Sequence, residues 1–130
     1  MAVSAKDALT EVQWLSDRLS AQVRMVAVGL LAFSWGLLVS PPSAIKISAR
    51  AILWVALLAV FTLVLDLLQY IFGYIYTESH RRALERAQSE LGYHRKALLY
   101  RLRGWCFWFK QGSVIAAFVL LAVALIPAIV

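Results

Sequence analysis

The chain has 130 residues, of which 62% are hydrophobic and 15% charged, against roughly 45–50% apolar and roughly 25% charged in a soluble domain. A soluble core of this length cannot hide so much apolar surface, so the excess must face lipid or other subunits. Thirteen Lys and Arg stand against seven Asp and Glu, a formal net charge of +6; beside apolar segments such a bias reflects topology and anionic lipid, and nucleic acid is not expected as a partner.

Residues 1–22 are expected to form an amphipathic helix, cytoplasmic or interfacial. Leu9, Val12, Leu15 and Leu19 recur at threes and fours, which places them on one helical face. Ser4 followed by Asp7 resembles a capping box with Asp in place of Glu. Trp14 and Arg18 suit the headgroup level. The same residues also fit a plain extension of the first membrane span.

That span is expected at 23–39. A cleavable signal is not, because Asp7, Glu11 and Asp17 precede the apolar run and no small-residue cleavage site follows it. Arg24 at its start can snorkel to headgroups. Gly29, Ala32 and Gly36 form a stripe of small residues that would let another backbone approach closely.

Residues 40–50 form a short extracytoplasmic turn. Pro41 and Pro42 lack the N–H that a continuing helix needs. Ser43 or Ser48 can cap the next helix. So short a link makes spans one and two antiparallel neighbours.

The second span, 51–76, carries Asp66. An aspartate at the centre of a membrane helix costs roughly 2.5–3.5 kcal/mol even on the mild insertion scale. Thr62, Asp66, Gln69 and Gly73 step by four, three and four, a polar or small face that should look inward. With the spans placed as here, Arg24 and Lys110 lie two or three turns away in depth. No basic residue within a span is therefore expected to meet Asp66. It must be protonated, hydrogen-bonded, hydrated or paired with another protein, and Ser34 is the hydroxyl expected to approach it. Two readings follow: a polar lock between helices, or an aqueous path lined by copies of this face.

Residues 77–110 form a basic cytoplasmic segment holding Arg81, Arg82, Arg86, Arg95, Lys96, Arg101, Arg103 and Lys110. These are expected to contact anionic lipid or a partner. Leu84, Leu91, Leu98 and Trp105 recur at sevens. A turn at Gly92-Tyr93 would fold the segment into a helical hairpin extending spans two and three, with the leucines facing each other. A helix lying flat on the membrane is the alternative. Tyr74, Trp105 and Trp108 are expected as interface anchors.

The third span is expected at 111–130, with Pro127 in its last turn, where lost hydrogen bonding matters least. A catalytic domain beyond it is not expected. With three spans, eleven Lys and Arg fall on the side of the N-terminus and the 77–110 segment, and two on the other. The positive-inside rule then puts the N-terminus in the cytoplasm and the C-terminus outside, in a bacterial inner membrane.

No catalytic constellation is legible. Cys106 is the single cysteine, and His80 and His94 are fourteen residues apart without a zinc-binding pattern. Neither metal nor cofactor is expected. The reading is an all-α integral membrane protein with three transmembrane helices, an N-terminal amphipathic helix and a cytoplasmic hairpin. Its expected function is a non-enzymatic small membrane subunit that assembles with itself or a larger membrane complex. The alternative is a homo-oligomeric channel or pore-forming effector lined by Thr62, Asp66 and Gln69.

Overall fold

The computed structural model describes residues 5–43, 46–86 and 91–129. They form three helices: α1 (Ala5–Val39), α2 (Ala49–Arg86) and α3 (Leu91–Ile129). Each contains a stretch long and apolar enough to cross a bilayer, at Thr10–Val39, Ala49–Ser79 and Leu98–Pro127. This is the architecture of an all-helical, multi-pass membrane protein. Ser4 and the side chains of Leu9, His80, Leu84, Arg86, Leu91, His94, Arg95 and Lys96 lie outside the described residues.

The helices run through three of the boundaries drawn from hydropathy. α1 crosses 22/23, α2 crosses 76/77 and α3 crosses 110/111 without a break. The physical reason is that a change from polar to apolar side chains asks nothing of the backbone, whose hydrogen bonds stay internal on both sides. Breaks need backbone chemistry. α1 closes where the Ser40 N–H donates to the Gly36 carbonyl at 3.0 Å, directly before the two prolines. α2 opens after Ser48, whose carbonyl accepts the Ile52 N–H at 3.2 Å, so Ser48 rather than Ser43 holds the cap position. Gly92, expected at the hairpin turn, instead lies in the first turn of α3. Glycine is least costly there, where the helix has few backbone bonds to lose.

α2 is the central helix, with α3 packed along it most extensively and α1 on it to a lesser extent. Val23, Ala27 and Leu30 of α1, Val55 and Ala59 of α2, and Val114, Ala117 and Leu121 of α3 make the core. Ala27, Ala59 and Ala117 are fully buried, so small residues mark the closest approaches, as membrane helix contacts require. Leu53, Leu57, Phe61, Ile115 and Phe118 point outward.

The tryptophans and Tyr74 fall in two levels. Trp35 and Trp54 lie toward the 40–48 turn, and Trp14, Tyr74, Trp105 and Trp108 toward the other end; all are exposed. Twenty residues separate Trp54 from Tyr74 on α2, a rise of about 30 Å, the thickness of a bilayer's hydrocarbon. The two described members of the sevenfold stripe do not close the α2–α3 contact. Leu98 and Trp105 are 58% and 62% exposed. What meets α2 at this end is Tyr100, whose ring centroid lies 6.2 Å from that of Tyr76. Heptad spacing marks one side of a helix but not which neighbour it faces. Val12, Leu15 and Leu19 of α1 are exposed as well.

Candidate functional site: a charged cluster inside the three-helix bundle

Asp66 sits at the crossing of all three helices and is 4% exposed. Its Oδ1 accepts a hydrogen bond from Lys110 Nζ of α3 at 2.6 Å and another from Ser20 Oγ of α1 at 3.0 Å. Its Oδ2 accepts from Arg24 Nε of α1 at 2.8 Å. Lys110 Nζ also donates to Ser20 Oγ, so Ser20 both accepts from the lysine and donates to the carboxylate. Lys110 is fully buried, and its ammonium lies 5.7 Å from the centre of the Phe107 ring. A buried ammonium without a carboxylate would be prohibitively costly, so the pair is a mutual requirement.

This geometry corrects the expectation that no basic residue reaches Asp66. Arg24 and Lys110 are not at the ends of spans. They lie well inside helices whose apolar stretches begin at Thr10 and Leu98. Ser20 and Arg24 share a face of α1 because they are four apart, and Lys110 and Ser113 share one on α3 because they are three apart. Ser34, the hydroxyl expected near Asp66, lies fourteen residues beyond Ser20, about 21 Å along the helix. It is buried, and its Oγ has no hydrogen-bond partner among the described residues.

The other members of the polar face are also accounted for. Thr62 is fully buried, with its Oγ1 2.6 Å from Ser113 Oγ. The Thr62 hydroxyl is 2.9 Å from the Leu58 carbonyl oxygen, and Ser113 Oγ is 3.1 Å from that of Lys110. Two hydroxyl hydrogens thus serve three contacts. Gln69 is half-buried, and its Oε1 is enclosed without a donor. Gly73 faces Arg103: a Cβ built there would stand 3.8 Å from the guanidinium carbon. The face expected to look inward is met by the chain's own α1 and α3.

Arg24 is the exception to enclosure. Its side chain is 45% exposed, and its guanidinium lies 5.2 Å from the centre of the Tyr70 ring. An open cleft of about 400 Å³ is lined by Arg24, Leu63, Asp66, Leu67 and Tyr70. Two cations and one carboxylate leave the cluster with an excess positive charge, carried by its most accessible member.

The remaining expected site residues are scattered. Gly29, Ala32 and Gly36 lie on the side of α1 turned away from α2 and α3, and a Cβ at Gly29 or Gly36 would touch nothing within 4 Å. Arg81 and Arg82 both donate to Glu78, at 2.9–3.0 Å, as exposed pairs along α2. Arg101 and Arg103 are exposed, as are the anchors Tyr74, Trp105 and Trp108. Cys106 is buried and free. Among the described residues no three His, Cys, Asp or Glu side chains gather as metal ligands would.

Sequence reasoning missed Ser20, Arg24, Lys110 and Ser113 as partners of the polar face. The available signal was complementarity: one carboxylate on α2 and one cation on each neighbouring helix. The fold and cluster define a multi-pass membrane protein with an internal ionic lock. Comparison with family models, with curated proteins and with solved structures finds no match.

Proposed function

We propose that the protein is a non-enzymatic subunit of the bacterial inner membrane, with its N-terminus in the cytoplasm, that assembles with copies of itself or with a larger membrane complex. The observation that carries this reading is the stripe Gly29, Ala32 and Gly36, exposed on α1 and outside the chain's own packing. The Asp66 site, by contrast, is completed within one chain by Ser20, Arg24 and Lys110 and asks for no second protein. The three helices can therefore act as a preformed unit. What such a unit offers to others is its outer surface. The stripe Gly29, Ala32 and Gly36 is unused by the chain's own packing. Close-approaching helices in lipid use small residues of this kind. The basic end carrying Arg81, Arg82, Arg101 and Arg103 would rest on anionic headgroups of the cytoplasmic leaflet or on a partner. The N-terminal part of α1, with Trp14 beneath Arg18 at 4.9 Å, suits the same level.

A pore lined by Thr62, Asp66 and Gln69 is the competing function. It would need this face to open on an axis between copies. Thr62 and Asp66 instead contact Ser113, Lys110, Ser20 and Arg24 of the same chain.

The test combines subunit count with ion flux. Purified protein is weighed by native mass spectrometry as wild type and as Gly29→Leu/Gly36→Leu, and ion flux is recorded in liposomes. Assembly predicts a defined oligomer or a co-purifying membrane protein, lost in the double variant, with no flux. Flux that changes in Asp66→Asn would instead support the pore.

A further inference from the structure

Above the ionic lock, toward the basic end of the bundle, the three helices form an open pocket of about 340 Å³. Asp17 and Ser20 of α1, Gln69, Tyr74 and Thr77 of α2, and Arg103 of α3 line it. Its volume exceeds what a single bound water needs by an order of magnitude. Asp17 and Arg103 carry opposite charges yet form no ion pair among the described residues. Gln69 lines the pocket, but its Oε1 is closed off from the pocket's open space. The pocket therefore offers a cation site and an anion site together.

Depth narrows the occupant. Tyr74 lies about 30 Å from Trp54 along α2, so it marks the hydrocarbon boundary. Thr77 lies one turn beyond it. A ligand in this pocket sits where phospholipid phosphates and amines sit. An anionic headgroup would meet Asp17 with nothing to answer it. A trimethylated ammonium has no N–H to give Asp17. A primary ammonium next to a phosphodiester satisfies each group. We propose that the pocket binds the headgroup of a phosphatidylethanolamine-type lipid. Its ammonium donates to Asp17, and its phosphate lies against Arg103. This goes beyond the assembly reading and does not depend on it.

The experiment is native mass spectrometry of the full chain in detergent, titrated with dioleoyl-phosphatidylethanolamine, dioleoyl-phosphatidylcholine and soluble phosphoethanolamine. The expected result is about tenfold tighter retention of the ethanolamine lipid than of the choline lipid, the scale of one charge-assisted hydrogen bond. Asp17→Asn should bring that preference close to unity. Because Asp17 is exposed, this variant should fold, which circular dichroism checks. Arg103→Gln should weaken both lipids alike. Equal retention of the two lipids by the wild type would overturn the proposal. So would an undiminished preference in a folded Asp17→Asn protein. Binding of soluble phosphoethanolamine as tight as that of the lipid would remove the lipid as the ligand.

Discussion

The two halves of the bundle are held by different forces. Toward the 40–48 turn, α1, α2 and α3 meet through Ala27, Leu30, Val55, Ala59, Ala117 and Leu121. Toward the other end they meet through Ser20, Arg24, Thr62, Asp66, Lys110 and Ser113. In lipid there is no hydrophobic gain in moving a leucine from acyl chains to another leucine, so the first half rests on close van der Waals fit. Such contacts tolerate sliding. The second half does not, because a displaced helix would leave a charge in hydrocarbon. The polar half thus fixes rotation and depth, and the apolar half follows.

The strongest way to break this contrast is to remove the shared acceptor. Asp66→Ala strands a fully buried Lys110, and the loss of one member of a buried pair costs about 3–5 kcal/mol. Unfolding in mixed micelles should show it as a collapse of the folded fraction. Adding Lys110→Met to Asp66→Leu should recover part of the loss, since a well-packed apolar replacement can match a buried pair.

Lys110→Met alone should cost less, about 2 kcal/mol, because Asp66 keeps the donors Ser20 and Arg24. A loss as large as that of Asp66→Ala would show that the lysine, not the carboxylate, organises the site. The same titration reads both.

In the apolar half, Ala59→Leu should destabilise by overpacking, about 1–3 kcal/mol, with the site's pairing kept. Cysteine crosslinking between α1 and α2 at the polar end should be unchanged by it. A shift there would mean that the apolar half sets the register after all.

Thr62→Val should cost least, about 0.6 kcal/mol, the average for hydrogen bonds between membrane helices. Gly36→Leu should leave monomer stability within about 0.5 kcal/mol, because a Cβ there meets nothing. Any effect of that variant on subunit number would then report an outside contact.

Much of the architecture was legible from hydropathy. Three apolar stretches, the stop at Val39 before two prolines and the inward face of Thr62 and Asp66 follow from local patterning. The interior position of Arg24 and Lys110 did not. Hydropathy averages treat a cation as an end marker, which sets each expected span to begin beside one. Glycine's poor fit to a helix interior suggests a break at Gly92, but position in the first turn makes it tolerable. The spacing of Leu98 and Trp105 marks a face, and spacing carries no information on what lies opposite.

By itself the sequence determined how many stretches are apolar enough to cross a membrane and which side of α2 is too polar for lipid. Both are local properties, set by side-chain transfer cost and a 3.6-residue period. Which groups answer Asp66 was decided only when three helices stood side by side. Its partners Arg24 and Lys110 are 42 and 44 residues away along the chain. Their meeting depends on the relative depth of helices that no local pattern fixes.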